Sequence, residues 1–423
     1  MIQRDVVFLV PGFLGFERSG NLSYFGDRVT SALRASLEDK LGRAVPVIAI
    51  PSLPTASLAE RQSALLRALV NRHGALGGAD RIHLIGHSTG GIDAHLLSCV
   101  RPLEGHSWAT ARPEDHEIVS KIASVVSIGS PHRGTCLAMR EGTRALTPRG
   151  LLQNPGGARS VLELLSLLVS SAWADVDASD FAFAAAREGR KVSHFVAELL
   201  RWQGLLRALT PDSMEALYRR MEPRDDVHRR SFVTLAGKPT ESKRDPSGPD
   251  AFFQELSRRA AGQSPNFTQQ GPDMKACLDR VREAAADPAR VIVSPRAALP
   301  GRIDAGSNDG IVNSARQLIS PQGHDELAAV VVADHFDVLG YYPRSTWIRG
   351  REGQDQLRDV VSGLLHSGCH FRDAEFFALY RRVAGVIAQA SGHVDEEPLE
   401  PSEHDVAPVT ALHRRPSRRP AAG

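Results

Sequence analysis

The stretch Arg81-Ile-His-Leu-Ile-Gly-His-Ser-Thr-Gly-Gly-Ile-Asp93 decides the fold of this chain. Its apolar first half is typical of a buried parallel strand, and the residues that follow Gly90 have a helical pattern. Between the two lies Gly86-His-Ser-Thr-Gly90, which matches the pattern G-x-S-x-G. A strand, this pentapeptide and a helix, in that order, predict a nucleophile elbow. We therefore predict Ser88 as a nucleophile, with glycines at Gly86 and Gly90 because the sharp turn leaves no room for Cβ atoms there.

The pentapeptide gains its weight from this context, because G-x-S-x-G alone can arise by chance. A near match at Gly105-His106-Ser107 lacks the second glycine, and no strand pattern precedes it. Ser88 is therefore the candidate nucleophile and Ser107 is not. The helix that follows Ser88 would add backbone N–H groups near the position where a negatively charged oxygen forms.

The composition is that of an ordinary soluble globular protein, and a net charge of +2 gives no basis for a nucleic-acid partner. The four cysteines form no C-x-x-C or other metal-binding pattern, and they are Cys99, Cys136, Cys277 and Cys369. We interpret them as free thiols in a reducing compartment. The N-terminus has no leader-like segment and no apolar run reaches membrane-spanning length, so the sequence predicts a cytoplasmic protein without a transmembrane segment. It does not predict the oligomeric state.

Strand and helix patterns alternate along most of the chain, which predicts a mostly parallel, doubly wound α/β sheet. Besides the strand before Ser88, we predict strands at residues 5–10, 44–50, 122–128, 231–236, 291–293 and 327–333. Predicted helices lie at residues 26–41, 56–70, 251–285 and 371–390. The chain contains no internal repeat.

The pattern changes after residue 138 and divides the chain into four parts. Residues 1–138 are the first part of the α/β core, and residues 139–229 lose all strand signals in favour of helical segments rich in Leu, Phe and Ala. We predict that residues 139–229 form a helical lid over the active site, the alternative being a second helical core. Residues 230–391 complete the core with an extra insertion near 238–301, and residues 392–423 are a disordered tail.

A serine hydroxyl becomes a good nucleophile when a base takes its proton and a carboxylate holds that base. In hydrolases with this elbow the acid and then the histidine follow the serine along the chain. Asp309, in the turn Asn308-Asp309-Gly310, is the acid candidate. The alternative is a plain surface turn in which Asp only stabilises the backbone, and Asp304 is a nearby competitor.

The base candidate is His335, because it stands directly after the most apolar late strand, where a catalytic loop residue is expected. His87 flanks the nucleophile, but adjacent elbow side chains do not face the same pocket well. His132 also follows a strand and is the main rival, for which we favour a structural or pocket-lining role. A purely structural role stays open for each of these histidines.

An oxyanion hole needs two backbone N–H donors that are in place before the reaction. One is expected from Thr89, directly after the nucleophile, and the other from Phe13, in the glycine-containing loop after the first strand. The alternative for this loop, residues 11–16, is a tight turn with no catalytic part.

These motifs resemble those of the bacterial true lipases, a branch of the α/β-hydrolase superfamily. Four blocks match in order, and a fifth, Asp334-His-Phe-Asp337, matches more loosely. The four are Val10-Pro-Gly-Phe-Leu-Gly-Phe16, Ile85-Gly-His-Ser-Thr-Gly-Gly91, Ile128-Gly-Ser-Pro-His-Arg-Gly-Thr135 and Asn308-Asp-Gly-Ile-Val312. The resemblance implies an α/β-hydrolase fold and hydrolysis of carboxylic esters under a helical lid. It implies the following roles: nucleophile Ser88, acid Asp309, base His335, and oxyanion donors Phe13 and Thr89.

The expected function is therefore a serine hydrolase that cleaves small-molecule or lipid-like carboxylic esters through an acyl-enzyme. The alternatives are an acyltransferase or thioesterase that uses the same triad, and a non-catalytic binding protein on a hydrolase fold. Some relatives bind calcium through an aspartate two residues after the histidine, a spacing at which Asp337 lies. Because the sequence shows no partner carboxylate for Asp337, we predict no metal and no cofactor.

Overall fold

The computed structural model describes thirteen segments of the chain. They are residues 4–13, 24–53, 56–75, 79–103, 111–138, 204–239, 251–262, 267–320, 327–342, 344–349, 355–361, 365 and 367–393. Most of the predicted lid, residues 139–203, lies outside the described residues, and so does the predicted tail from residue 394 onwards.

The described strands are β1 (Asp5–Val10), β2 (Val47–Ala49), β3 (Arg81–His87), β4 (Ile122–Ile128), β5 (His228–Leu235), β6 (Lys238–Pro239), β7 (Val291–Ile292), β8 (Ala297–Ala298), β9 (Leu327–Val332), β10 (Arg344–Arg349) and β11 (Asp355–Val361). Seven of them form one sheet in the order β2-β1-β3-β4-β5-β9-β7, and every neighbouring pair in it is parallel. The predicted parallel, doubly wound sheet is confirmed.

The described helices are α1 (Asp27–Leu41), α2 (Leu58–Ala75), α3 (Thr89–Leu97), α4 (Pro113–Ser120), α5 (Gly204–Ala208), α6 (Pro211–Tyr218), α7 (Ala251–Gly262), α8 (Phe267–Ala286) and α9 (Asp373–Ala390). Among them is no helix of the length and apolar character needed to cross a membrane.

The two faces of the sheet bury alternate residues of the same strand, since successive side chains of a strand point to opposite sides. On one face Val7 and Leu9 pack in a cluster with residues of α1 and α9, and on the other Val6 and Phe8 pack with residues of α2, α3 and α4. Each fully buried side chain of this size stabilises the fold by about 1.5–3 kcal/mol relative to exposure. The apolar runs read as strands in the sequence are thus explained by helices on both sides.

Three details differ from the sequence prediction. The helix predicted at 251–285 is two helices, α7 and α8, and residues 263–266 between them lie outside the described part. The strand predicted at 44–50 is only β2, because Pro46 has no N–H to donate and contributes only its carbonyl oxygen, which accepts the N–H of Val7 at 2.9 Å. The antiparallel pairs β6–β8 and β10–β11 were not predicted at all, since short or charged strands carry little apolar periodicity.

The last part of the predicted lid segment is in contact with α3, the helix that follows Ser88. Apolar side chains of α5 and α6, among them Leu205 and Met214, form one buried cluster with Ile92 and Leu96 of α3. Helix α6 begins at Pro211, and the hydroxyl of Thr210 accepts the backbone N–H of Ser213. This cluster places α5 and α6 beside the elbow.

Candidate active site

The carboxyl ends of the parallel strands meet at one edge of the sheet, and the candidate residues follow them there. Ser88 follows β3, His335 lies beyond the end of β9, and Phe13 lies in the loop after β1. Ligands of open α/β sheets bind outside this edge. The topology therefore brings together residues that are far apart in the sequence.

Ser88 has the strained backbone that a nucleophile elbow requires. Its φ is 55° and its ψ is −133°, between the end of β3 and the first turn of α3. A positive φ is uncommon for a residue with a Cβ and stores roughly 1–3 kcal/mol of strain. Its N–H donates to the carbonyl oxygen of Ile128 at 3.0 Å, and its own carbonyl accepts the N–H of Gly91 at 3.1 Å. These two bonds hold the turn in place.

The glycines around Ser88 are required by close approaches between backbones. A Cβ on Gly86 would overlap the backbone of Gly90 and Gly91, and a Cβ on Gly90 would overlap the carbonyl oxygen of Val10. Gly12 is equally constrained, because a Cβ there would lie 2.6 Å from the Cβ of Ser88. The absence of side chains at these positions lets the loop after β1 come within contact distance of the elbow.

Asp309 and His335 are joined by a hydrogen bond of 2.8 Å between Oδ2 and Nδ1. Both side chains are buried. Because an ionised carboxylate only accepts, Nδ1 carries the proton and Nε2 of neutral His335 is left with a free lone pair. The backbone N–H of His335 also donates to the carbonyl oxygen of Asp309, at 3.0 Å.

The carboxylate of Asp309 is fixed by four further donors. Its Oδ1 accepts the backbone N–H groups of Ile311 and Val312 at 3.0 and 2.7 Å. Its Oδ2 accepts from the hydroxyl of Thr234 at 2.5 Å and from the side-chain amide of Gln317 at 3.3 Å. This set of donors satisfies the lone pairs of a buried charge and fixes the direction in which the carboxylate meets His335.

Helix α7, in the insertion that the sequence left unexplained, packs on the loop that carries Asp309. The side-chain amide of Asn308 donates to the carbonyl oxygen of Ser257 at 3.2 Å, and that of Asn313 donates to Ala260 at 3.1 Å. The ring of Phe253 lies against Gly310, where a Cβ would be 2.7 Å from it. The two asparagines flank the candidate acid on both sides, so α7 buttresses its loop.

The other histidine and aspartate candidates have different partners. The ring of His132 is buried, and its Nδ1 hydrogen-bonds the hydroxyl of Tyr218. Burial, followed by the nearby Arg133, lowers the pKa of His132 to about 3. Asp304 accepts the N–H of Gly306 at 2.9 Å within its own turn. The structure brings neither His132 nor Asp304 into the Asp309–His335 pair.

His87 contacts His335 but has both ring nitrogens occupied. Its Nε2 lies 2.8 Å from the carbonyl oxygen of His335, and its Nδ1 lies 2.7 Å from the hydroxyl of Tyr24. A carbonyl only accepts, so Nε2 donates, and Nδ1 accepts the O–H of Tyr24. Burial and the proximity of His335 hold the pKa of His87 well below its usual value, which keeps the ring neutral. His87 therefore connects the elbow to the loop of His335.

Arg61 is one residue of this region that sequence reasoning missed. Its side chain is fully buried and is paired with Asp93 of α3, with 2.5 Å between Nη2 and Oδ2. The same Nη2 donates to the carbonyl oxygen of Pro11 and to the hydroxyl of Thr89, each at 3.2 Å. One guanidinium thus joins the loop that carries Phe13 to the first turn of α3. The available signal was an arginine on the apolar face of α2, between Leu58 and Leu65.

The residues around Asp337 do not make a calcium site. Its Oδ2 accepts the backbone N–H of Asp334 at 3.0 Å, while Asp334 Oδ1 accepts the N–H groups of Phe336 and Asp337. Burial raises the pKa of Asp334 to about 7 and, together with Asp334, raises that of Asp337 well above its usual value. Within the described ranges no three acidic, histidine or cysteine side chains converge as metal ligands.

The chain matches no protein-family model. A triacylglycerol lipase of Vibrio cholerae is 26% identical over 168 residues, which are 39% of this chain and 45% of that protein. The chain thus spans about half the length of this curated relative. Among solved structures, EstA from Clostridium botulinum has a TM-score of 0.51 and 16% identity, over 91% of this chain and 87% of that one. A Staphylococcus hyicus lipase has a TM-score of 0.47 and 15% identity, over 92% of this chain and 96% of that one.

The match to EstA agrees with the seven-stranded parallel sheet that helices cover on both faces. The sequence match to the Vibrio cholerae protein covers less than half of either chain and is independent of the structural one. The chain therefore has the α/β-hydrolase fold, and in sequence it is similar to a bacterial triacylglycerol lipase.

Proposed function

We propose that the chain is a serine hydrolase of carboxylic esters, with Ser88 as nucleophile, His335 as base and Asp309 as the acid that orients the base. The observation that carries the proposal is the 2.8 Å hydrogen bond between buried Asp309 and His335, beyond an elbow in which Ser88 has a φ of 55°. Acyl transfer requires a serine in an exposed turn and a histidine of fixed tautomer, and the 2.8 Å bond from His87, next to Ser88, to the backbone of His335 supports their pairing here.

The first half of the reaction forms an acyl-enzyme. The hydroxyl of Ser88 attacks the ester carbonyl carbon while Nε2 of His335 takes its proton, and Asp309 stabilises the resulting imidazolium. The carbonyl oxygen becomes an oxyanion that accepts the backbone N–H groups of Phe13 and Thr89. The alkoxide leaves as an alcohol, because the imidazolium returns the proton to it. In the second half His335 takes a proton from water, which attacks the acyl carbon. The bond from this carbon to Ser88 Oγ then breaks, the acid leaves, and His335 returns the proton to Ser88.

Lipid-like esters are the proposed substrate class. The similarity to a protein named triacylglycerol lipase supports it, and so does the abundance of Leu, Phe and Ala in residues 139–229. We propose these residues as a lid over the site. The contact of α5 and α6 with the helix that follows Ser88 supports this placement. Apolar side chains over the site would favour apolar acyl groups.

A reducing, cytoplasmic location is the proposal that fits the cysteines. Cys99, Cys136, Cys277 and Cys369 are all free and buried, and burial raises the pKa of Cys277 to about 11. Protonated buried thiols are unreactive, and none of the four forms a disulfide.

The test is a series of p-nitrophenyl esters of increasing acyl length, run beside emulsified triglyceride. We expect saturable hydrolysis by the unchanged chain and loss of all but background rate in Ser88→Ala, with Ser31→Ala of helix α1 as the matched control. An added alcohol and an acyl thioester in parallel reactions distinguish hydrolysis from acyl transfer and from thioesterase activity. Full activity in Ser88→Ala would overturn the proposal.

A further inference from the structure

A cavity whose lining residues do not include Asp309 or His335 lies between the last turn of α3, the end of α6 and the start of β5. Its volume is about 590 Å³, which is enough for a small organic ligand. The lining side chains that matter are His95, Arg133, Tyr218, Arg224, Arg229 and Arg230. Arg133 belongs to the loop after β4, so four separate elements of the described chain converge on this space.

The cavity is strongly basic. Four guanidinium groups line it, and among the described lining residues the one carboxylate is that of Asp225. Arg224 is already neutralised by Asp226, with 2.5 Å between nitrogen and oxygen. No described carboxylate lies within 4 Å of the guanidinium groups of Arg133 or Arg230, which instead donate to the neutral carbonyl oxygens of Ile319 and Arg229, respectively. Uncompensated positive charge around a concave surface attracts anions.

Two buried nitrogens at the cavity have no hydrogen-bond partner within the described part of the chain. They are Nδ1 of His95 and Nε of Arg133, and the two side chains are 1% and 8% exposed. The ring of His95 is held in place by stacking on Tyr218, with 5.0 Å between ring centroids, and the guanidinium of Arg133 lies over the ring of the same Tyr218 at 5.3 Å. A buried polar group without a partner destabilises a fold by about 1–3 kcal/mol, which a bound ligand with acceptor oxygens would recover.

The charges around His95 all favour an anion. Arg229 and Arg133 face its ring as positive groups from β5 and from the loop after β4, while His132, Tyr218 and Cys99 are its neutral neighbours. Burial, followed by these positive groups, holds the pKa of His95 well below its usual value. An anion in the cavity would offset the second of these causes, the nearby positive charge.

We propose that this cavity binds a phosphate-class oxyanion, with the guanidinium groups of Arg133 and Arg230 as charge partners and His95 as a third hydrogen-bonding group. Planar guanidinium groups match the oxygens of a phosphate, and several of them from different elements favour a dianion over a single carboxylate. The phosphate can be that of a free small molecule or of a phospholipid headgroup. The proposal stands independently of ester hydrolysis.

Isothermal titration calorimetry of the full chain tests the proposal, with inorganic phosphate and glycerophosphate as probes in a low-salt chloride buffer near pH 7. We expect one saturable site and weakening by about tenfold or more in Arg133→Gln and in Arg230→Gln, because a hydrogen bond to a charged group contributes roughly 1.5–3 kcal/mol. Arg220→Gln, an exposed arginine of the same region that does not line the cavity, is the control and should bind as the unchanged chain does. Arg230 is half-buried, so its variant remains informative if Arg133→Gln fails to fold.

Sedimentation with vesicles distinguishes the two sources of phosphate. Binding to vesicles that contain phosphatidic acid, but not to soluble phosphates, would assign the site to a lipid headgroup, provided that Arg230→Gln abolishes it. Binding to the soluble phosphates that is likewise lost in Arg230→Gln would assign the site to a small phosphorylated molecule. The proposal is overturned if neither probe type binds, or if both Arg133→Gln and Arg230→Gln bind as tightly as the unchanged chain.

Discussion

The Nε2–H of His87 donates to the backbone carbonyl oxygen of His335 at 2.8 Å, and the two rings lie 4.7 Å apart. The residue before the candidate nucleophile thereby holds the loop that carries the candidate base. The hydroxyl of Tyr24 donates to the other nitrogen of His87 and extends this connection to the segment that precedes α1. A residue of the elbow, His87, thus positions the loop of the candidate base relative to Ser88.

His87→Phe should lower kcat by about ten- to a hundredfold with little change in KM. A phenyl ring fills a similar volume but cannot donate, so the loop of His335 loses one positioning bond while substrate binding is retained. Steady-state kinetics on a p-nitrophenyl ester checks this. Tyr24→Phe, which leaves the Nε2–H of His87 in place, should have the smaller effect. An unchanged kcat in His87→Phe would contradict the positioning role.

Asp309→Asn should lower kcat by about 10⁴-fold. An asparagine can present its amide hydrogens to Nδ1 of His335, which favours the tautomer that cannot accept a proton from Ser88. Asp304→Asn is the matched control, because the carboxylate of Asp304 makes its hydrogen bonds inside its own turn. Equal losses in both variants would mean that the effect comes from the loop and not from the acid.

Arg61→Met should destabilise the fold by about 3–5 kcal/mol, because it leaves the buried carboxylate of Asp93 without its charge partner. The double variant Arg61→Met with Asp93→Leu should recover most of this stability. It should not recover kcat, because Pro11 and Thr89 are still no longer joined. Denaturant unfolding and steady-state kinetics measure the two effects separately.

Arg67→Met on the same helix is exposed and serves as the control for both measurements. If the double variant regains both stability and activity, Arg61 is a purely structural residue. If it regains neither, the loss of the buried pair has altered the packing of α2 on α3.

The stability of the fold should fall as the pH drops below about 6.5, and His132 should account for part of the fall. Burial lowers its pKa to about 3, so between pH 6.5 and 3 the unfolded chain binds a proton that the folded chain does not. The free energy of unfolding therefore rises with pH across this window. His132→Asn should reduce the difference between pH 7 and pH 5 by about 2 kcal/mol, as measured by urea unfolding in phosphate-free buffer. An unchanged difference would contradict this.

Local patterns made much of the fold and of the candidate site predictable. The parallel sheet follows from apolar runs that are buried on both faces, and the elbow follows from the glycines two residues before and after Ser88, whereas the strand order comes from the structure alone. Asp309 and His335 could be chosen as candidates from the sequence because Asp309 lies in a recognisable turn and His335 follows a recognisable strand. What the structure adds to these two is the 2.8 Å bond between them.

Other features depend on contacts between distant segments and leave little or no local signal. Arg61 and Asp93 meet because α2 packs on α3, and neither residue has a motif around it. Thr234 and Gln317 reach Asp309 from a strand and a short helical turn that the sequence did not connect with it. Helix α7 holds the loop of Asp309 through the backbone carbonyl groups of Ser257 and Ala260, and no side-chain pattern in the sequence reveals such contacts.

The central claim is that Ser88 is an activated nucleophile, and labelling with a fluorophosphonate followed by peptide mass spectrometry tests it most directly. We expect one covalent adduct, on the peptide that contains Ser88, in the unchanged chain and in the control Ser31→Ala. We expect none in Ser88→Ala, and slow labelling in Asp309→Asn because the base is no longer correctly oriented. A chain that stays unlabelled at Ser88, or a Ser88→Ala variant that is labelled as fast as the unchanged chain, would contradict the claim.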